Sequence, residues 1–271
     1  MCIICRGEIY DLDTREVLDF SYCNNLTSEK LQKILIQCKN LKELGCNSCT
    51  SLTSLDLRSN INLKELYCNS CTSLTSLDLR NNINLKELYC NSCTSLTSLD
   101  LRNNSEGVTS FGCINLKKLY CNSCTSLTSL DLRSNINLVT LKCSRTSLIS
   151  IDLRSNIKLK ELNCSFCKSL TSLDLRNNIN LKKLRCFDCK YLTSLDLPKK
   201  YKGCINHSDC YWIIQNKYFS INLQRLIRIQ RWYRRTLIIK YMKSNQFIEW
   251  IYNPSNIGGR LYKKWLLKNL K

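Results

Sequence analysis

The residues with the most chemical potential are thiols. Twenty cysteines share the chain with a single histidine. Most fall in CxxC pairs, as at Cys46/Cys49, Cys68/Cys71 and Cys90/Cys93. That spacing suits zinc coordination, which needs four ligands, or thiol–disulfide exchange, which needs an accessible thiolate. Cys204, His207 and Cys210 make a CxxHxxC that supplies three ligands, and no fourth stands nearby. No nucleophile is matched with a base, and neither GxSxG nor GxxxxGK[ST] is present. The chain is therefore expected not to be an enzyme, and no cofactor or metal is assigned to it.

The cysteines recur because a whole unit recurs. LKELYCNSCTSLTSLDLRNNIN, running from residue 63 to residue 84, is repeated closely from about Leu41 to Leu197. Each unit holds LxxLxCxxC and then LxxLxLxxN; the period of two in Leu-x-Cys and Leu-x-Leu predicts one short strand per half, apolar side inward. The first Cys then takes an inward leucine's place and the second a ladder position at the strand end. A buried thiol there is a small hydrophobe and inert. The first cysteines, Cys46, Cys68, Cys90, Cys121, Cys143, Cys164 and Cys186, count seven regular coils. No unit this short buries its own apolar face, so the units must stack into a β-rich solenoid.

Two departures from the period are expected to be absorbed locally. Residues 105–115 bulge out as an inserted loop, and in the fifth unit Thr146 replaces the second Cys with the loss of one residue. Asn60, Asn82, Asn104, Asn135, Asn156 and Asn178 form a predicted amide ladder that bonds backbone groups at the bends.

The second half of each unit resembles the leucine-rich repeat, LxxLxLxxN, and the first half its variant with Cys in the Asn place. A Cys in every coil with a 21/22-residue period resembles the cysteine-ladder repeats of internalin-like bacterial proteins. The resemblance implies a parallel-strand coil stack and a protein-binding role. At the N-terminus, CIICRGE with Cys2 and Cys5 resembles the opening of a RING-type zinc module, which would imply a ubiquitin-ligase adaptor. Only Cys23 and Cys38 follow, without a nearby histidine, so the ligand set is incomplete.

Three regions are expected. Residues 1–40 form an irregular first coil, with Leu18, Phe20, Cys23 and Leu26 inward, and a short helix from Ser28. Residues 41–198 form the regular solenoid, ending where Pro198 cannot donate a ladder hydrogen bond. Residues 199–271 form a basic α-helical domain. Of the +20 net charge, most lies in this last region, where sixteen Lys and Arg face only Asp209 and Glu249. Its helix holds Ile229, Gln230, Arg234 and Arg235, which resemble an IQ motif and imply a calmodulin-like or other acidic partner. Nucleic acid or an anionic surface is the alternative target. The near-identical repeats with this tail are also similar to repeat proteins of giant DNA viruses of amoebae. The start lacks a signal-peptide pattern and no run is long enough to span a bilayer, so an intracellular protein is expected, in the cytoplasm or that of a host cell.

The outward positions carry the functional expectation. On the LDLR strands they are nearly constant, with Asp and Arg two residues apart in almost every coil. On the LKELYC strands they vary: Glu65 with Tyr67, Glu87 with Tyr89, Lys118 with Tyr120, Lys142 and Arg185. Variation on a constant frame, with tyrosines that join apolar area to a hydroxyl, points to a protein-binding strip.

Overall fold

The computed structural model describes residues 11–102 and 112–199, and the backbone of 204–206. In chain order its elements are β1 (Val17–Asp19), α1 (Ser28–Leu35), β2 (Glu43–Gly45), β3 (Ser54–Asp56), β4 (Glu65–Tyr67), β5 (Ser76–Asp78), β6 (Glu87–Tyr89), β7 (Ser98–Asp100), β8 (Lys118–Tyr120), β9 (Thr140–Lys142), β10 (Glu161–Asn163), β11 (Ser172–Asp174), β12 (Lys183–Arg185), β13 (Ser194–Asp196) and β14 (Cys204–Asn206). One parallel sheet of nine strands runs β1-β2-β4-β6-β8-β9-β10-β12-β14. Each coil supplies it with one strand, so Leu44 pairs with Leu66, Leu66 with Leu88 and Leu88 with Leu119. A slip of one residue would turn this buried leucine column to solvent, which holds the register.

The second strand of the unit is less uniform than its sequence suggests. β3-β5-β7 and β11-β13 form two separate small sheets. Residues 129–131 and 150–152 are not strands, although Leu130 and Ile151 still point into the core. Both irregularities of the period lie on the connections to this side. The insertion leaves the chain directly after β7, and the shortened coil precedes residue 150, so the spacing that ladder bonds require is lost only here.

Inside, Leu66, Cys68, Cys71, Leu74, Leu77 and Leu79 of one coil are all buried, and the other coils repeat them. All sixteen cysteines among the described residues are buried, and none forms a disulfide. The second cysteines form a hydrogen-bonded column. Sγ of Cys71 donates to Cys46 O at 3.0 Å, Cys93 to Cys68 O at 3.0 Å and Cys189 to Cys164 O at 3.0 Å. Each thiol thus serves a carbonyl of the preceding coil where the chain leaves the strand. The intervening turn residue is left-handed without being glycine, as at Ser70 (φ 58°), Ser92 (φ 59°) and Phe166 (φ 60°). Thr146 breaks the column by bonding its own coil, Oγ1 to Cys143 O at 2.8 Å.

The amide ladder has one member other than expected. Asn82 Nδ2 donates to Leu57 O at 3.0 Å and Asn60 O at 2.9 Å, and Asn60, Asn156 and Asn178 bond alike. Between Asn82 and Asn135 the position belongs to Cys113, not Asn104, which lies outside the described residues. Cys113 Sγ donates to Leu79 O at 3.1 Å, and its carbonyl accepts from Asn135 Nδ2 at 2.9 Å. Regular structure therefore resumes by Cys113, and residues 113–115, expected in the loop, belong to the coil. Cys38 holds the same place at the start of the ladder, accepting from Asn60 Nδ2 at 2.8 Å.

Helix α1 stands in the first coil where later coils carry the second strand. It buries Leu31, Ile34 and Leu35 as its periodicity requires. Thr27 rather than Ser28 caps it, accepting from Lys30 N at 3.3 Å. Ser28 Oγ instead accepts from Thr53 N and Ser54 N at 3.1 and 3.0 Å, tying α1 to β3.

Pro198 occupies the place of Arg176 one coil earlier. There the Arg N–H bonds Asp174 Oδ1 of the same coil at 3.1 Å, not a neighbouring strand. Proline at this position removes a turn bond and leaves the ladder intact. Past it, β14 pairs with β12, Leu184 opposite Ile205.

Candidate protein-binding face

The outward side of the large sheet carries two rows. Glu43, Glu65, Glu87, Lys118, Thr140, Glu161 and Lys183 are in register in one; Asp19, Gly45, Tyr67, Tyr89, Tyr120, Lys142, Asn163 and Arg185 are in register in the other. Strands about 4.8 Å apart set side chains at the thickness of stacked rings. Tyr67 and Tyr89 stack with centroids 4.8 Å apart and planes 12° apart; Tyr89 and Tyr120 stack at 4.7 Å and 7°. The small angles mean little local twist, the condition under which identical side chains can form a continuous column.

Charges lock the column. Tyr67 Oη donates to Glu65 Oε2 at 2.5 Å and Tyr89 Oη to Glu87 Oε2 at 2.6 Å. Lys118 Nζ pairs with Glu87 Oε1 at 2.8 Å. Lys142 Nζ sits 4.9 Å over the Tyr120 ring and 3.9 Å from Glu161 Oε1, which Arg185 Nη1 approaches at 3.6 Å. All eight residues singled out on these strands therefore lie in one strip. Glu161, not among them, is what links Lys142 to Arg185.

The protonation states follow from these neighbours. The hydrogen bond to Glu65, with burial behind it, pushes the Tyr67 hydroxyl above its ordinary range, and burial with the bond to Glu87 does the same for Tyr89. Burial, with the nearby Glu161 and Glu87 carboxylates adding to it against the Lys118 ammonium, raises Tyr120. For Glu87, burial opposes ionisation, but the Lys118 ammonium and Tyr89 hydroxyl together outweigh it and hold the carboxyl below its usual value. The strip presents neutral phenols beside an ionised Glu87 at neutral pH.

Beside it runs a second amide column that sequence reasoning missed. Asn47 Oδ1 accepts from Asn69 Nδ2 at 2.8 Å, Asn69 Oδ1 from Asn91 Nδ2 at 2.7 Å and Asn91 Oδ1 from Asn122 Nδ2 at 2.8 Å. The signal was the Asn of CNSC, present in four coils, which the adjacent cysteines overshadowed.

The LDLR side differs in kind. Each Arg clamps the Asp of its own coil: Arg80 donates N, Nε and Nη2 to Asp78 at 3.1, 2.9 and 2.8 Å, and five other coils repeat the clamp. Charges satisfied internally offer little to a partner. Exposed Ile61, Ile83, Ile136, Ile157 and Ile179 form an apolar row at the following turn, also unforeseen.

Among the described residues, no group of three or more His, Cys, Asp or Glu is disposed to hold a metal. The β12–β14 register aligns Cys204 with Lys183. His207 and Cys210 themselves, Cys2 and Cys5, and the IQ-like Ile229, Gln230, Arg234 and Arg235 lie outside the described residues, as does the tail expected to be helical.

The pattern of the BspA type leucine-rich-repeat region matches the chain in six copies, over residues 18–123 and 118–212. The chain belongs to the BspA-type leucine-rich-repeat family. Among solved structures it is similar to the leucine-rich-repeat domain of the type III effector XopL, at 19% identity and TM-score 0.52, covering 75% of this chain and 79% of that one. It is also similar to the functional domain of InlJ from Listeria monocytogenes, which includes a cysteine ladder, at 24% identity and TM-score 0.28, covering 60% of this chain. InlP of Listeria monocytogenes is similar at 20% identity and TM-score 0.43, over 73% of this chain and 62% of its own. The matched part spans 50% of the InlJ domain. No curated protein matches the sequence. Among the described residues, no helix of this BspA-type chain is long and apolar enough to cross a membrane.

Proposed function

We propose that the BspA-type solenoid is a non-enzymatic protein-binding module. Its partner would dock on the outward face of the large sheet across Tyr67, Tyr89 and Tyr120, with Glu65, Glu87, Lys118, Lys142 and Arg185 around them. The observation that carries this reading is the locked tyrosine column. Aromatic area held in place before an encounter loses little conformational entropy on binding. Stacked-repeat proteins commonly use such an extended surface for recognition. Sixteen buried cysteines without a disulfide among the described residues support a reducing, intracellular setting.

The test is capture of partners from producing cells by the full chain, the triple variant Tyr67→Ala/Tyr89→Ala/Tyr120→Ala, and a control altered on the other face, Arg133→Ala/Arg154→Ala. Partners held by the unaltered chain and the control are expected to be lost by the triple variant, with unchanged circular dichroism. Retention by all three proteins would refute the reading.

A further inference from the structure

The two halves of the large sheet's outward face differ in sign. From β1 to β6 its charged residues are Asp19, Glu43, Glu65 and Glu87, with no cation among them. From β8 to β12 they are Lys118, Lys142, Lys183 and Arg185, with Glu161 the one acid. The change falls between β6 and β8, the middle of the strands that run from β1 to β12. Glu87 and Lys118 pair across it at 2.8 Å, and the Tyr89–Tyr120 stack straddles it.

A face whose charge reverses about its own midline is complementary to itself. A twofold axis that lies between two such faces and parallel to the strands turns a second copy over and reverses the order of its coils, while each row still meets the same row. Counting outward from the midline, Tyr89 then meets Tyr120 of the other copy, Tyr67 meets Lys142 and Asp19 meets Arg185, each contact made twice. Glu87 meets Lys118, so the ion pair within each chain gains another across the axis. Glu43 is the exception in facing Glu161, but Lys142 and Arg185 approach that carboxylate at 3.9 and 3.6 Å and leave the spot positive. A twofold axis along the coil stack would instead set acidic half on acidic half, which repulsion disfavours.

We infer that the protein partner of this face is a second copy of the chain, docked sheet to sheet with its coils antiparallel. A different protein would have to carry the same reversal of charge at the same spacing, whereas a second copy has it already. The strip from β1 to β12 is roughly 35 Å long and two side-chain rows wide. That area suits a weak, salt-sensitive dimer rather than a permanent one. The inference deepens the protein-binding reading of this face and rests on it.

Sedimentation equilibrium of the purified full chain tests this directly. A reversible dimer is expected, weakened about tenfold when salt rises from about 0.05 to about 0.5 M. Asp19 and Arg185 are both exposed, so their charges can be exchanged at the surface. Asp19→Lys sets two cations together at each end of the dimer and Arg185→Glu two anions, and each variant should weaken self-association about tenfold. In an equal mixture of the two variants both contacts again pair opposite charges, so mixed dimers should form at close to the unaltered strength. Should either variant fail to fold, as read by circular dichroism, the salt series and Lys142→Ala, which loses its contact with Tyr67 of the other copy and should weaken the dimer about threefold, keep the test decisive. A monomer at about 0.1 mM, a dimer indifferent to salt, or a mixture no stronger than either variant would each overturn the inference. A monomer whose capture of another protein still depends on the tyrosines would sink the inference alone. Loss of that dependence would sink the reading of the face beneath it.

Discussion

Tyr67 and Tyr89 lie with ring centroids 4.8 Å apart and planes within 12°, the separation of the paired strands that carry them. The backbone ladder and the side-chain column therefore have one repeat, and each supports the other. Tyr89, stacked on both sides, is the residue most dependent on this match.

Replacing Tyr89 with Ala removes two stacked contacts and should destabilise the chain by about 1–3 kcal/mol. Tyr89→Phe keeps the stack and loses the hydroxyl bond to Glu87, for a smaller cost of about 0.5–1.5 kcal/mol. Urea unfolding followed by circular dichroism separates the two, and equal costs would mean that stacking contributes nothing.

Asn82 and Asn84 carry the same amide into different surroundings. Buried Asn82 serves two carbonyls, Leu57 O and Asn60 O; exposed Asn84 serves Ile61 O alone at 3.1 Å. Asn82→Ala should cost about 1–3 kcal/mol, because the two carbonyls lose their donor away from water, and Asn84→Ala at most about 0.5 kcal/mol. Denaturation midpoints of the two variants give the comparison.

The thiol column makes a chemical prediction. Cys93 Sγ donates to Cys68 O at 3.0 Å in the core. Cys93→Ser retains a donor, whereas Cys93→Ala strands the carbonyl and leaves a small void, at a cost of about 1–3 kcal/mol. The ordering Ala below Ser in melting temperature is the expected result; the reverse ordering would show that the sulfur acts only by filling space.

Acid should loosen the LDLR side. Side-chain and backbone hydrogen bonds from Arg154 hold the Asp152 carboxyl down to about 2, and Arg176 does the same for Asp174. An unfolded Asp titrates near 3.9, so unfolded chains bind the extra protons first as pH falls. The contribution is fully present above about pH 4 and is lost as pH drops towards 2. Both carboxylates face solvent, so each effect is small and weakened by salt. Melting temperature recorded from pH 6 to pH 2 should fall less steeply in Asp152→Asn/Asp174→Asn than in the unaltered chain.

Ser70 adopts φ 58° between the two cysteines of its coil. Glycine reaches this region without a Cβ clash, so Ser70→Gly should stabilise by about 0.5–1 kcal/mol, net of its greater freedom when unfolded. A loss on substitution in thermal melts would show that the Ser70 side chain contributes more than the strain it causes.

The coil stack, its inward cysteines and its outward tyrosines were legible because the chain repeats itself. Alternation of period two assigns a face to every residue, and a repeat of 21 or 22 residues assigns each face a neighbour. The Asn-position cysteines were concealed by their type: Cys38 and Cys113 read as stray thiols until their spacing to Leu41 and Leu116 is set against that of Asn60 and Leu63. Pro198 misled through an assumption about which N–H it lacked. The alternation could not show that the second sheet breaks at residues 129–131 and 150–152, because hydrogen bonding between coils depends on where an insertion or deletion leaves the chain.

What the sequence determined by itself was the side on which each residue lies. Only the tertiary structure decided what lies next to it. Stacking of Tyr67 on Tyr89 and capping of Tyr120 by Lys142 both arise between residues one coil apart. Their contact depends on flat, in-register pairing of parallel strands, a property of the assembled sheet that no single repeat contains.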